Sequence, residues 1–234
     1  DGHYTISGNK VFITNASYAK HLALTAITSI EDGKKEISAI IVPTTAKGFT
    51  IYDRYEKMGL HASNTTELVL ENVVVPEENL LGTRGSGLKQ FLVTLDGGRI
   101  GIAAMAVGIA QGAFDKAVAY AKERKQFGKT LAQFQATQFK LADMAVKIEL
   151  ARTMVYKAAW LKDQGRPFSK EAAMAKYYAS EMAMEVADEA IQIHGGYGYM
   201  KEYEVERYMR DAKLLEIGEG TSEVQKLVIA RHIL

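Results

Sequence analysis

Short apolar runs, separated by polar and turn-forming residues, fill the chain up to about residue 82. β-Branched and aromatic residues dominate these runs, as is typical of strands, and Gly8-Asn9 and Glu31-Asp32-Gly33-Lys34 each predict a hairpin turn. Pro43 and Pro76 mark strand ends, because proline cannot donate a hydrogen bond to a strand ladder. The strands are predicted over residues 3–7, 10–15, 22–30, 35–42, 49–52 and 67–75.

From Ser86 onward the apolar residues recur at helical intervals. Residues 100–110 are apolar on every side, which predicts a helix at the centre of a bundle. Ser169 is predicted to cap an alanine-rich helix that Gly195-Gly196 ends. A helix over 132–164 carries apolar residues at the seven-residue steps of near-antiparallel packing: Phe134, Leu141, Ile148 and Val155. Further helices are predicted from about Tyr203 and after Glu219.

The two patterns meet near residues 78–86. They predict an α+β chain with a small antiparallel β-domain over residues 1–82 and a four-helix-bundle domain over residues 83–234.

Composition and charge exclude several classes of function. The 29 basic and 28 acidic residues nearly cancel, so binding to nucleic acid or a membrane surface through bulk charge is not expected. The absence of cysteine excludes disulfides, thiolate catalysis and thiolate metal sites. The apolar run 100–110 is too short to cross a bilayer, so no membrane span is expected. Because the chain begins Asp1-Gly2-His3-Tyr4, without an initiator Met or a signal-peptide pattern, we expect a piece of a longer protein.

The stretch 216–225 places one carboxylate between two glycines just before the last helix. Gly218 and Gly220 flank Glu219, and Ser222 and Gln225 have the spacing of a capping box at the start of that helix. A permissive backbone beside a helix N-terminus suits a catalytic carboxylate, but on local grounds such a sequence is more often a plain turn with a solvated acid.

Three further polar clusters interrupt the helices. Asp96-Gly97-Gly98-Arg99 places a glycine bend before the most apolar helix, and local grounds favour an ion pair that closes the helix N-terminus. Residues 123–129 either cap the end of a helix with basic side chains or form a phosphate site. In the second case the Arg124 guanidinium binds the phosphate and Phe127 stacks on a ring of the ligand. Residues 192–199 form a C-cap turn or expose glycine amides to a ligand. A histidine there has no second ligand at metal-binding spacing, so no metal site is predicted.

In this order and spacing, the clusters resemble the acyl-CoA dehydrogenase family of flavoproteins, in particular its short-chain and butyryl-type members. Residues 59–82 look like the end of the family's middle β-domain, and residues 86–234 look like its C-terminal four-helix bundle. The motifs that carry the resemblance are 192–196, Arg210-Asp211-Ala212-Lys213 and Glu219-Gly220-Thr221-Ser222.

The resemblance implies a role for each matching residue. Glu219 is implied to be the base that removes the α-proton of an acyl-CoA while the β-hydrogen leaves as hydride to FAD. The implied substrate-binding residues are Asp96 and Arg99, on the CoA portion, and Gly220. The implied FAD-binding residues are Phe12, Ile13 and Thr14 behind the flavin ring; Arg124, Phe127 and Gln135 reaching a neighbouring subunit's FAD; Gln192, Ile193, His194, Gly195 and Gly196 at its adenosine; and Thr221, Ser222 and Glu223 near the pyrophosphate.

Two positions depart from the family pattern. In some relatives the base sits one residue before the arginine that matches Arg99, but this chain has Gly98 there and so no rival carboxylate. Gly218 stands where many members carry an aromatic residue, which enlarges the site and leaves the acyl-chain preference open.

The resemblance further implies a homotetramer, a dimer of dimers, that forms trans-2-enoyl-CoA and passes electrons to electron-transferring flavoprotein. The expected compartment is the bacterial cytoplasm, or the mitochondrial matrix in a eukaryote. Because the family's N-terminal helical domain is missing, the chain by itself is expected to be stable but inactive, without stoichiometric FAD. The rivals are an acyl-CoA oxidase or another relative on the same fold, and a non-catalytic helical assembly module. Glu219, Arg124 and Gln192 argue against the module, because packing requires none of them.

Overall fold

The computed structural model describes residues 2–52 and 55–234, which form two compact units, one up to Thr94 and one over Leu95–Leu234. The α+β prediction, a small antiparallel sheet domain followed by a helical domain, is confirmed. The limits 1–82 and 83–234 stay a prediction. The strands are β1 (His3–Thr14), β2 (His21–Glu31), β3 (Lys34–Pro43), β4 (Phe49–Tyr52), β5 (Thr65–Pro76), β6 (Lys125–Gln126) and β7 (Lys129–Thr130). The α-helices are α1 (Gly87–Glu123), α2 (Gln135–Asp163), α3 (Ser169–His194), α4 (Val205–Leu215) and α5 (Ser222–Ile233).

The first unit encloses one apolar core between two antiparallel sheets, β1-β5-β4 and β2-β3. The predicted hairpin between β2 and β3 is confirmed, and its turn residues Asp32 and Gly33 both have positive φ, 50° and 73°. The buried residues of this core are Ile6, Ala16, Leu24, Ile40, Val42, Leu68, Leu70, Val73 and Val75.

The predicted hairpin at Gly8-Asn9 is wrong, because β1 runs through it as one strand. Gly8 pairs with Leu70 of β5 and Asn9 pairs with Val69, so the whole strand has a partner more than fifty residues away. The register shifts between Ile6 and Gly8, where the glycine adopts φ 148°. The glycine therefore forms part of a β-bulge in the strand.

The second unit is built around α3, which packs against α2, α4 and α5. The predicted alanine-rich surface lets the helices approach closely, and Ala175, Ala179 and Ala183 are fully or almost fully buried in the core. The predicted core face of α2 is present, since Ile148 and Val155 are buried there. The prediction for residues 100–110 is wrong in one respect. Met105 on the outer side of α1 is 42% exposed, so α1 is not the central helix of the described chain.

Three local predictions in the helical unit are wrong. The 96–99 segment is no bend, because α1 continues through both glycines as regular helix. Ser169 does not cap α3; it is the first helical residue, and its hydroxyl donates to Asp96 instead. The capping box at Ser222 is displaced by one residue, because the N-cap of α5 is Thr221, whose hydroxyl accepts from Val224 N.

A short β6–β7 hairpin follows α1 and was missed by the helical pattern. Its turn is Phe127-Gly128, and both residues have positive φ, 52° and 81°. This two-residue turn matches the twist of the strands, and it carries the phenyl ring of Phe127 into solvent.

Among the described residues, α1 is long and apolar enough to cross a membrane by length and composition, with a mean hydropathy of 1.5 in its most apolar window. The apolar stretch is therefore longer than residues 100–110 suggested. Core helices of soluble proteins meet the same two criteria, and one face of α1 packs in the helical core through Ala106, Ala110 and Ala113.

Candidate active site

Glu219 lies on the tight connection between α4 and α5. Its φ is 56°, and the next residue, Gly220, has φ 89°. A left-handed conformation is costly for a residue with a side chain, and such residues cluster at functional sites where the surroundings hold them in place. The carboxylate is only partly exposed, so the turn directs it back toward the protein.

Two helices hold this turn through its carbonyl oxygens. Gln225 of α5 is fully buried, and its Nε2 donates to Glu219 O at 3.1 Å and to Gly220 O at 2.8 Å. Lys176 of α3, also fully buried, donates from Nζ to Gly220 O at 2.7 Å. The N-cap hydroxyl of Thr221 begins α5 directly after the turn. The left-handed backbone is thus fixed from both sides.

The carboxylate of Glu219 faces Gly98, in the N-terminal third of α1. A Cβ atom placed on Gly98 would lie 2.5 Å from Glu219 Oε2. One turn of α1 around this glycine also carries Asp96 and Arg99, which form an ion pair in which the guanidinium is almost fully buried. Ser169 of α3 donates to Asp96 Oδ1 at 3.0 Å. The structure therefore brings together three of the predicted site residues and the glycine between them.

Three buried polar atoms and one buried amine mark this region as unusual. Arg99 Nε, Ser222 Oγ and Gln225 Oε1 have no hydrogen-bond partner among the described residues. Burial is the main cause that lowers the pKa of Lys176 to about 8; Arg99 acts in the same direction and Glu216 opposes them. Buried polar atoms without partners and a buried amine thus occur together around the Glu219 turn.

Sequence reasoning missed Lys176 and the true role of Gln225. A signal for Lys176 was present, since it shares the buried face of α3 with Ala172, Ala175 and Ala179 at helical spacing. A lone lysine on a core face needs a partner, because an unpaired buried charge is costly. Its partner, the Gly220 carbonyl, lies 44 residues further on, and no local pattern indicates it.

A second site is a pocket of about 460 Å³ at the far end of α1. His194 donates from Nδ1 to Ala190 O at 2.7 Å, and its ring stacks on Tyr120 at 4.3 Å. Burial lowers the pKa of His194, which favours the neutral ring. The guanidinium carbon of Arg124 lies 5.5 Å from the ring centre of Tyr197. The lining residues are Tyr120, Arg124, Gln126, Leu131, Ile193, His194, Gly195, Gly196, Tyr197 and Met200.

The pocket brings together five of the residues predicted to bind FAD: Arg124, Ile193, His194, Gly195 and Gly196. The other nine residues predicted to bind FAD do not line it. Phe127 is 92% exposed at the hairpin tip, where its ring meets the edge of Phe134, and Gln135 and Gln192 are exposed outside the pocket. Ser222 and Glu223 lie in the first turn of α5, the serine buried and the glutamate exposed.

The predicted segment Phe12-Ile13-Thr14 belongs to the first unit. The register of β1 shifts between Lys10 and Ile13, and Phe12 has φ 58° and is 68% exposed. Its ring lies 5.1 Å from that of Tyr55. The bulge therefore presents an aromatic face on the strand end, while Thr66 donates to Ile13 O at 3.1 Å and holds the backbone.

Comparison with known proteins places this chain in a family. The model of the acyl-CoA dehydrogenase C-terminal domain matches residues 85–234, and that of the acyl-CoA dehydrogenase middle domain matches residues 1–73. The probable acyl-CoA dehydrogenase YngJ of Bacillus subtilis is 65% identical over 232 residues, which are 99% of this chain and 61% of that protein.

Two solved structures match almost the whole chain. Butyryl-CoA dehydrogenase from Megasphaera elsdenii is 51% identical with a TM-score of 0.96, over 99% of this chain and 60% of that one. A chain in the structure of the electron transferring flavoprotein of Acidaminococcus fermentans is 50% identical with a TM-score of 0.96, over 100% of this chain and 61% of that one. This chain thus spans about three fifths of the length of these relatives, and it belongs to the acyl-CoA dehydrogenase family.

Proposed function

We propose that the natural protein containing this chain is an acyl-CoA dehydrogenase that oxidises short-chain acyl-CoA to trans-2-enoyl-CoA with FAD. The placement of Glu219 carries the proposal: a left-handed, doubly anchored turn directs its carboxylate at Gly98, beside the buried Asp96–Arg99 pair. The names of the two relatives, a probable acyl-CoA dehydrogenase and a butyryl-CoA dehydrogenase, support the substrate class.

In this reaction Glu219 removes a proton from the carbon next to the thioester carbonyl. The C–H electron pair becomes the new double bond, and the proton moves to a carboxylate oxygen of Glu219. FAD, when bound, supplies the acceptor for the β-hydrogen, which leaves as hydride. Gly98 leaves room for the carboxylate, and the two donors on Gly220 O keep the turn from relaxing. A base held in this way loses little freedom when it reacts.

The pocket at the end of α1 has the chemistry of a nucleotide site, which supports FAD as the cofactor. Its volume of about 460 Å³ is typical of ligand pockets. Arg124 has no ion pair within the described parts of the chain, so its guanidinium is available to a phosphate. The exposed ring of Tyr197 offers a flat face for an aromatic base, and Gly195 and Gly196 let a ligand approach the backbone.

A homotetramer and an electron-transferring flavoprotein partner complete the proposal. The outer face of α2, opposite its buried face, exposes large apolar side chains at helical spacing: Phe139, Val146, Leu150 and Trp160. Exposed apolar patches of this kind mark protein contact surfaces. The likeness to a chain in a structure of an electron transferring flavoprotein supports the redox partner. The bacterial relatives support a bacterial cytoplasm as the compartment.

Glu219→Gln tests the base. The change keeps the size of the side chain and removes its basicity, so turnover of butyryl-CoA with a dye acceptor should fall by about 10²-fold or more. FAD content and butyryl-CoA binding should stay close to wild type. Glu202→Gln, which changes an exposed carboxylate elsewhere in the same unit, is the matched control. Near-normal turnover of the Glu219→Gln protein would refute the assignment.

A further inference from the structure

Lys176 is the largest fully buried side chain in the described chain. Its stem lies on the core face of α3 between Ala172 and Ala179, and its ammonium donates to Gly220 O at 2.7 Å. That carbonyl belongs to the residue that directly follows the candidate base. The lysine is therefore connected to the reaction site through a single backbone contact.

Packing alone does not explain a lysine at this position. No carboxylate among the described residues lies within ion-pair distance of its ammonium, and Glu216, Glu181 and Glu223 act on it only from further away. A buried charge without a close partner opposes folding, and an apolar side chain of similar length would avoid that cost. Burial lowers its pKa to about 8, as expected of an amine taken out of water.

The contact controls the direction in which Glu219 points. Lys176 and Gln225 approach Gly220 O from two different helices, at 2.7 Å and 2.8 Å, and Gln225 also donates to Glu219 O at 3.1 Å. Three hydrogen bonds on two consecutive carbonyls fix the peptide planes on the C-terminal side of Glu219. The side chain of Glu219 then leaves a fixed backbone and meets Gly98.

We propose that Lys176 is a positioning residue, which holds the left-handed Glu219-Gly220 turn so that the Glu219 carboxylate stays directed at Gly98. Lys176 does not touch the substrate in this account; it acts through Gly220 O. The inference rests on the proposed function for its effect on catalysis. Its effect on the turn does not depend on which substrate the protein uses.

Lys176→Met in the natural protein is the test. Methionine fills similar volume without a charge or donor, and Gly220 O keeps its bond from Gln225, so no carbonyl is orphaned. Hydrogen–deuterium exchange of peptides over 216–225 should speed up by about tenfold or more. Turnover of butyryl-CoA should fall by about 10²-fold with KM and FAD content little changed, because a displaced base affects the chemical step.

Lys170→Met is the matched control, since it removes a lysine from the first turn of the same helix, where the side chain is partly exposed. It should change none of these quantities. Urea unfolding accompanies each measurement, and the midpoint for Lys176→Met should equal or exceed that of the wild type. Lys176→Gln is a second variant. Its side chain is one bond shorter than that of lysine, so its amide nitrogen should not reach Gly220 O, and the same turn should loosen.

Unchanged exchange and turnover in both Lys176 variants would overturn the proposal. So would a lower unfolding midpoint with faster exchange throughout α3 and α5, because that pattern indicates a general stabilising role. If the wild type oxidises no acyl-CoA while exchange over 216–225 still rises in the variants, the proposed function fails and the hold of Lys176 on the turn is supported.

Discussion

Gly98→Ala should separate activity from stability at the candidate site. An alanine Cβ there would lie 2.5 Å from Glu219 Oε2 and 3.0 Å from Glu219 Cδ, whereas ordinary contact begins at 3.4 Å. The carboxylate must therefore move by about 1 Å, and a displacement of that size at a reacting group costs about 10²-fold in rate. Only the end of a flexible side chain has to move, so the fold itself is not strained.

The same substitution should favour the folded state. Glycine inside a helix is less favourable than alanine by about 1 kcal/mol, and Gly98 lies well within α1. We therefore expect kcat for butyryl-CoA to fall by about 10²-fold while the free energy of unfolding stays level or rises. Dye-coupled turnover, exchange of the substrate α-proton with deuterated solvent, and urea unfolding measure the three quantities.

Gly101→Ala is the matched control, because it lies three residues further along α1 and, apart from the adjoining backbone of α1 itself, no described atom comes within 4 Å of its added methyl group. It should keep full turnover and gain similar stability. Full activity of Gly98→Ala would refute the placement of Glu219. Equal loss in both variants would attribute the effect to α1 as a whole.

Two further predictions concern the cationic residues. Arg124→Ala should release FAD on dialysis, whereas loss of a mere helix cap would cost about 1 kcal/mol or less of stability and leave flavin bound. Arg231→Ala, at the exposed end of α5, is the control. An unchanged flavin spectrum for both variants would contradict the FAD site. Burial lowers the pKa of Lys176 from 10.5 in the unfolded chain to about 8 in the folded protein, so between pH 8 and pH 10.5 the unfolded chain binds more protons. The free energy of unfolding should therefore rise as the pH increases across that window, by about 3 kcal/mol at most. Lys176→Met should abolish this part of the pH dependence in urea titrations, and an identical profile would contradict the buried charge.

The elements that the sequence predicted correctly are those decided by nearby residues. The β2–β3 hairpin follows from Asp32-Gly33, and the end of α3 follows from Gly195, which adopts φ 59°. The hairpin at Gly8-Asn9 failed because β1 pairs along its whole length with β5, and that distant partner outweighs the local turn preference.

The candidate site was predictable in identity and only partly in geometry. The motif around Glu219 pointed to a carboxylate at a helix start, but its anchors come from α3 and α5 through contacts that no short pattern encodes. The glycines 97 and 98 suggested a bend because glycine weakens a helix. In the structure Gly98 is helical, and its lack of a side chain leaves room for the Glu219 carboxylate.

The outer face of α2 carries the only tryptophan of the chain, Trp160. Its indole is about half exposed, and the Arg166 guanidinium carbon lies 5.4 Å from the ring centre. Indole emission depends on the polarity around the ring, and every other residue of the chain is nearly silent when excitation is restricted to tryptophan. The protein therefore contains its own label-free fluorophore on the surface proposed for assembly, and covering that surface would shift a single, unambiguous emission band.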